Sequence, residues 1–306
     1  MAPLVSCLCV SRPSRWGQLQ RAILDFLAQS CKDKELVIVV DSGTDYATTV
    51  QAFVDQQGKD ARLVRVLGRT AKTQLDGLQY AAVAAYGQIL TLWDDDNLNH
   101  PTRLEVQLGV QTDLKDTATV LTKGLYYFYR DNELFAVDFF NPELSAADRV
   151  LPTTLMAYRE SFPVLDHTAR SKPSEQLVNN LTRQGKKLLP VSRDPFLHLV
   201  GVTCDHLRTY EWHRRVVETR SRTAEQLQTD NVKLTAALDG YKWDVASVSV
   251  EGQDGGAFEY APKQRWSSDL YPVKLIEEAK PEKPTPPKPT APQVVPPPGK
   301  LDKDKK

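Results

Sequence analysis

Leu36-Val37-Ile38-Val39-Val40 is an unbroken apolar run in which four of five side chains are β-branched. A strand that alternates polar and apolar residues can leave one face in water; this one must be covered on both faces, as in the parallel sheets of α/β proteins. It ends in a polar turn, Asp41-Ser42-Gly43-Thr44-Asp45. Around it the pattern repeats. Leu4 to Val10 leans towards strand and ends in the loop Ser11-Arg12-Pro13-Ser14-Arg15; Leu19, Ile23, Leu24, Phe26 and Leu27 then recur at helical spacing. A helix from about Thr48 to Gln57, a strand from Arg62 to Leu67, a helix from Gln74 to Tyr86 and a strand from Gln88 to Trp93 follow. Strands alternating with amphipathic helices build βαβ units and a largely parallel sheet, in which ligands bind beyond the carboxyl ends of the strands.

The strand at Gln88 to Trp93 stops abruptly in Asp94-Asp95-Asp96-Asn97, and His100-Pro101 closes the loop before a new helix. Three adjacent carboxylates at the end of a buried strand repel one another, and a divalent cation offsets that repulsion. In extended backbone side chains alternate, so Asp94 and Asp96 are expected on one face and Asp95 on the other. Two carboxylates suit Mg2+ or Mn2+, which complete their shells with water and phosphate oxygens. Asp41, at the end of the neighbouring strand, is placed to accept hydrogen bonds from a base or ribose. Capping of the next helix and ordinary turn chemistry are the bland readings of the same residues.

The second half changes character. Thr119 to Tyr129 and Glu133 to Phe140 read as an aromatic hairpin about Arg130-Asp131-Asn132, and Leu151 to Tyr158 as a strand. Ser174 is a candidate N-cap for a helix with an apolar face of Leu177, Val178 and Leu181. Leu188 to Val191 and Phe196 to Val202 are short apolar segments; Thr209 to Tyr241 reads as one long, Arg-studded helix and Val245 to Tyr260 as a hairpin. The hairpin aromatics suit sugar stacking but suit a packed core better. Arg208, Arg214, Arg215, Arg220 and Arg222 are interspersed with glutamates, as on a solvated helix face. From Glu277 Pro and Lys dominate, as in a disordered tail, with docking of a partner on a polyproline segment as the alternative. Lys+Arg and Asp+Glu are 39 each, so net charge argues for no polyanionic partner. The four cysteines lack metal-site or CxxC spacing and are expected as reduced thiols. No apolar run approaches a membrane span and the N-terminus lacks a signal-peptide layout, so a soluble, cytoplasmic protein is expected.

Val5-Ser6-Cys7-Leu8-Cys9-Val10-Ser11-Arg12-Pro13, the helix ending Phe26-Leu27-Ala28-Gln29-Ser30, and Glu35 to Asp41 resemble the opening of family 2 glycosyltransferases of the GT-A fold. Ala84-Ala85-Tyr86-Gly87, Trp93-Asp94-Asp95-Asp96-Asn97 and His100-Pro101-Thr102-Arg103-Leu104 are similar to that family's A-x-G, acidic and H-P-x-R-L signatures. The likeness is good over residues 3 to 110 and weaker to about 205. It implies a GT-A Rossmann-like mixed sheet flanked by helices over residues 1–205, a helical and β-hairpin extension over 206–275 and a Pro/Lys-rich tail over 276–306. It further implies metal-dependent, inverting transfer of a sugar from a nucleotide-sugar, a UDP-sugar above all, to an acceptor hydroxyl of a saccharide or modified nucleic acid.

By the same resemblance Ser11 and Arg12 flank the nucleotide, Asp41 contacts the base, Asp95 faces the ribose or sugar, and Asp94 and Asp96 hold Mn2+ or Mg2+, with His198 or His206 as a further ligand. The acceptor's proton goes to a carboxylate at the start of a late helix, where Pro173-Ser174-Glu175-Gln176 offers Glu175, with Asp166 second. Leu78-Gln79 stand where the family often shows Arg-Asn, which leaves Lys72 as a substitute contact, and Gln176 stands where it shows a second acid. Those two departures leave a non-catalytic nucleotide-sugar-binding module open. A nucleotidyltransferase on a similar fold is the other alternative, although the Ser-Arg-Pro-Ser-Arg loop has no glycine.

Overall fold

The computed structural model describes residues 4–40, 44–69, 73–111, 115–139, 150–162, 173–191, 198–202 and 207–265. All of them belong to one compact unit, Met1–Leu275. Asp41, Lys72, Asp166, His206 and the Pro/Lys-rich tail lie outside the described residues.

The first sheet is built as the apolar runs require. β1 (Val5–Ser11) pairs in parallel with β2 (Lys34–Val40) on one side and β4 (Ile89–Leu92) on the other, and β3 (Val64–Gly68) continues beyond β2. Every residue of β2 is buried. Its alternate side chains serve two cores. Leu36, Ile38 and Val40, with Cys7 and Cys9 of β1, meet α1 (Trp16–Leu27), α2 (Thr44–Asp55) and α4 (Arg103–Gln111). Val37 and Val39, with Leu8, Leu90 and Leu92, meet α3 (Gln74–Ala84) and α5 (Pro173–Arg183). Each such side chain withdrawn from water contributes on the order of 1.5–3 kcal/mol, which forces helices onto both faces.

The sheet is mixed rather than purely parallel. β9 (Leu151–Tyr158) runs antiparallel between β4 and β6 (Thr117–Leu121), and β10 (Lys187–Val191) closes that edge parallel to β6, giving the order β10-β6-β9-β4-β1-β2-β3. The apolar run expected as one strand from Thr119 to Tyr129 is two. β6 ends at Leu121, and after the single residue Thr122 the chain enters β7 (Lys123–Phe128) in a second sheet. That sheet has the order β13-β12-β8-β7-β11-β5, where β5 is Asn97–Asn99, β8 Glu133–Asp138, β11 His198–Val202, β12 Val248–Gly252 and β13 Gly255–Tyr260.

The long helix expected over Thr209 to Tyr241 is interrupted twice. α6 (Leu207–Glu218) ends before Thr223, whose hydroxyl accepts from the Gln226 amide while the Gln226 side chain accepts from the Thr223 amide. This reciprocal cap starts α7 (Ala224–Thr229), and α8 (Asn231–Leu238) follows after Asp230. The hairpin aromatics are core: Tyr127, Trp243 and Tyr260 pack edge to face beneath α7 and α8, and Phe128 against Phe135 and Tyr210 on the other side.

α3 also ends sooner than expected, at Ala84. The Arg159 guanidinium donates to the carbonyls of Ala82, Ala85 and Gly87, closing the helix end. The buried Glu35 carboxylate then accepts the amides of Tyr86 and Gly87 at 2.5 and 3.2 Å. A Cβ on Gly87 would stand 2.5 Å from Ser6 Oγ and 2.7 Å from Ser6 N, so only glycine lets this turn lie against β1.

Candidate active site

The carboxyl ends of β1 and β4 lie side by side, because Leu8 is in register with Leu92. β1 therefore delivers Ser11 and the loop after it to the same edge as Asp94-Asp95-Asp96. The loop is pinned from below. The Trp93 indole donates to the Ala22 carbonyl of α1 at 3.0 Å, and the Trp93 amide to the Leu8 carbonyl at 2.9 Å. Arg103, wholly buried, donates to the Leu92 carbonyl at 3.2 Å and to the side chains of Asn99 and Gln107. Its guanidinium is 5.3 Å from the centre of the Trp93 ring.

Strict alternation does not extend through the acids. β4 ends at Leu92 and Asp95-Asp96 form a turn before β5, so the period of two is lost. Asp95 and Asp96, expected on opposite faces, converge on one nitrogen: Arg15 Nη1 is 2.8 Å from Asp95 Oδ1 and 2.8 Å from Asp96 Oδ2. Asp94 takes the Asn97 side-chain amide at 3.1 Å instead. Burial drives the Asp94 carboxyl well above the carboxylate range, and the charges of Asp96 and Asp95 add to it, against the pull of Arg103 and Arg15. Asp95 is raised in the same way by burial and Asp96, with Arg15 and the Ser11 hydroxyl opposing. Burial disfavours the charge on Arg15, but Asp96 and Asp95 outweigh it and hold the guanidinium more firmly charged than in water.

Beside this cluster lie three buried polar atoms without a well-formed hydrogen bond: Ser11 Oγ, the Tyr46 hydroxyl and Asp95 Oδ2. They are neighbours, since the Ser11 hydroxyl acts on both Asp95 and Tyr46. Tyr46 reaches the spot from the first turns of α2 and is steadied by Trp16, whose ring packs edge to face on Tyr46 and Phe53. Buried polar atoms left without protein partners are costly, and an ordered water, an ion or a ligand can supply what they lack. On the far side, the Tyr129 phenol is near enough to Asp96 for that charge to raise its pKa, after the larger effect of burial. It accepts from Arg21 Nη1 at 3.0 Å, and Arg21 also pairs with Asp244 at 3.3 Å, tying α1 to the segment before β12.

The sequence-derived residues are therefore only partly gathered. Ser11, Asp94, Asp95 and Asp96 come together; Arg12 is exposed at the start of the loop, and Arg15 pairs with Asp95 and Asp96. His198 is buried in β11 with Nδ1 2.9 Å from Asn99 Oδ1 and Nε2 3.2 Å from Thr153 Oγ1. Both ring nitrogens are thus taken up within the protein. Among the described residues no three His, Cys, Asp or Glu side chains converge as a metal-binding group, so Asp94, Asp96 and His198 are not assembled as a trio. Glu175 stands in the first turn of α5, which packs on β9 and leads into β10. No hydrogen bond or ion pair among the described residues ties it to the acidic loop. Arg15 and Tyr46 escaped the sequence reading. A 3-10 turn, Pro13–Arg15, with the Arg15 amide donating to the Arg12 carbonyl at 2.9 Å, puts Arg15 at the acids, and only the Pro hinted at it.

Comparison with known proteins agrees with this architecture. Residues 12–147 match the model for glycosyl transferase family 2. No curated protein sequence matches the chain. Among solved structures, the fold is similar to the mannosyltransferase PcManGT from Pyrobaculum calidifontis, solved with GDP-Man and Mn2+, at a TM-score of 0.50 and 12% identity over 77% of this chain. It is similar to S. aureus TarS 1–349 at a TM-score of 0.50 and 11% identity over 78% of this chain. The chain spans 64% of the mannosyltransferase and 71% of the TarS fragment. The acidic loop and the Pro13–Arg15 turn lie within the stretch that matches glycosyl transferase family 2, and the mixed sheet that carries them has the GT-A fold.

Proposed function

We propose that this chain transfers a sugar from a nucleoside-diphosphate sugar, a UDP-sugar in our reading, to an acceptor hydroxyl, with inversion and with a divalent cation. The observation that carries the proposal is the convergence of Asp95 and Asp96 on Arg15, with Asp94 and the buried Ser11 and Tyr46 hydroxyls close by, at the carboxyl edge of the sheet. The oxygens are carboxylate, as a hard cation requires, and the neighbouring charges that add to burial in raising Asp94 and Asp95 are what a bound positive charge relieves. Asp94 and Asp96 would hold it. When bound, such an ion neutralises the charge that develops on the departing diphosphate. A mannosyltransferase of this fold is solved with GDP-Man and Mn2+, which supports the same donor and ion chemistry here.

The chain's own groups have distinct tasks in this reading. Ser11 and Tyr46 bind the nucleotide by hydroxyl hydrogen bonds, with Arg12 at its rim, and Asp41 and Lys72 complete the nucleotide contacts from the adjoining loops. Glu175 takes the proton from the acceptor hydroxyl, with Asp166 in reserve. The acceptor is a saccharide or a modified nucleic acid. Residues 1–205 carry the catalytic domain and 206–275 its extension. No helix among the described residues is long and apolar enough to cross a membrane, and we place the reaction in the cytoplasm.

The test is turnover over a panel of nucleotide-sugars with Mn2+ or with chelator. Chelator and Asp96→Ala should each abolish transfer. Turnover that persists without metal and in Asp96→Ala would reject the metal-dependent mechanism; binding of UDP without turnover on any donor and acceptor would reject catalysis.

A further inference from the structure

Arg15 stands where the counter-charge of the acidic loop belongs. One nitrogen, Nη1, lies 2.8 Å from both Asp95 Oδ1 and Asp96 Oδ2, although these carboxylates come from successive residues. Asp95 is 2% exposed and Arg15 about a third, so the pair has an inner end sealed in protein and an outer end reachable from solvent. The short turn Pro13–Arg15 fixes the backbone of the arginine, while its side chain keeps several rotatable bonds. Asp95 Oδ2, the other oxygen of the same carboxylate, has no well-formed hydrogen bond. The internal cation thus engages one oxygen of this carboxylate, and the Ser11 hydroxyl also acts on the group.

We propose that Arg15 is the resident counter-ion of the Asp94–Asp96 loop and competes with the divalent cation for the oxygens of Asp95 and Asp96. This rests on the reading above that the loop takes such a cation. The guanidinium and the ion draw on the same negative charge, and an ion bound through Asp96 Oδ2 needs the oxygen that Arg15 now holds. In the cation-free protein Arg15 prevents three like charges from standing uncompensated; when the cation binds, the guanidinium is released toward solvent. A released guanidinium at this edge faces the anionic side of the donor, where arginine pairs well with phosphate oxygens. Cation and diphosphate thereby favour each other's binding: one takes the carboxylates, the other the arginine.

The direct measurement is Mn2+ affinity, read by calorimetry on the cation-free full chain. Arg15→Gln removes the competitor and should bind Mn2+ about tenfold more tightly, because the ion no longer displaces a charged hydrogen-bond donor. Arg15→Lys keeps the charge and should remain near the wild type. Equal or weaker Mn2+ binding by folded Arg15→Gln would overturn the competition while leaving the metal site standing. Failure of every variant to bind Mn2+ would overturn it together with the metal reading, and a UDP-sugar thermal shift would then show whether donor binding survives. The wild-type chain gives a second readout that needs no variant to fold. The Arg15 guanidinium nitrogens should show hindered rotation by 15N NMR without cation and free rotation at saturating Mg2+. Signals unchanged by Mg2+ would overturn the proposal.

Discussion

Asn99 Oδ1 is shared by two buried residues, Arg103 and His198, and the His198 contact measures 2.9 Å. Because Arg103 can only donate, Asn99 presents its oxygen, so His198 Nδ1 carries the proton and Nε2 accepts from the Thr153 hydroxyl. Burial, with Arg103 nearby, keeps this imidazole neutral. The histidine thereby joins β11 to β5 directly behind the acidic loop. His198→Gln should cost about 1–3 kcal/mol in denaturant-induced unfolding, the usual cost of leaving buried partners unsatisfied. Its Mn2+ affinity should equal that of the wild type; a large loss of Mn2+ binding by the folded variant would make the histidine a ligand.

Asp25 predicts a pH dependence with a definite sign. Burial raises its carboxyl to about 7, against the Asn99 amide, which donates to it at 3.2 Å, and the charges of Lys242 and Arg21. A carboxyl that holds its proton more tightly when folded stabilises the fold at low pH. That contribution is lost as pH rises from about 4 to 7 and is flat above. Between pH 5 and 8 the wild type should lose a few kcal/mol that Asp25→Asn does not, on the order of 1.4 kcal/mol per unit of pKa difference. Equal pH dependence in the two proteins, by chemical denaturation, would show that the carboxyl is not perturbed.

Tyr46→Phe separates binding from stability. The hydroxyl is buried without a well-formed partner, and burial holds it at about 12. Its removal should change the unfolding free energy by less than about 0.5 kcal/mol, because no good hydrogen bond is broken. UDP affinity measured by calorimetry should fall about fivefold, the value of one hydrogen bond. Unchanged affinity would remove Tyr46 from the nucleotide site.

Gly87→Ala tests the close approach of the α3–β4 turn to β1. The added methyl meets Ser6 backbone as well as its side chain, and backbone cannot rotate away. A loss of about 1–3 kcal/mol is expected, seen as a lowered melting temperature. Retained stability would mean that the turn moves freely.

The first sheet was legible because each of its early strands is a short apolar run flanked by turn residues, and the helices between them keep one apolar face. The Leu36–Val40 run alone demands cover on both sides, and both cores are present. The runs after Leu108 were less readable. Thr119 to Tyr129 carries apolar character straight through Thr122, and nothing local marks that the two halves enter different sheets. The break in the Thr209 to Tyr241 pattern was visible in Thr223 and Gln226, a capping pair inside a helical periodicity. In the site, the carboxylates were found by their position after a buried strand, whereas their facing was not, since a turn at Asp95 cancels the strand period. Arg15 and Arg12 look alike in sequence; the 3-10 turn between them decides which one points at the acids.

Thr122 is the one residue between β6 and β7, and it is wholly buried. Its amide donates to Val191 of the first sheet at 3.3 Å and its carbonyl accepts from Phe139, just after β8 of the second, at 2.7 Å. A joint so short, bonded on both sides, cannot act as a hinge. Breathing of one sheet against the other at this corner would break both bonds at once, so the space between them has a fixed gauge. Any change of shape at this edge must then come from the loops along it.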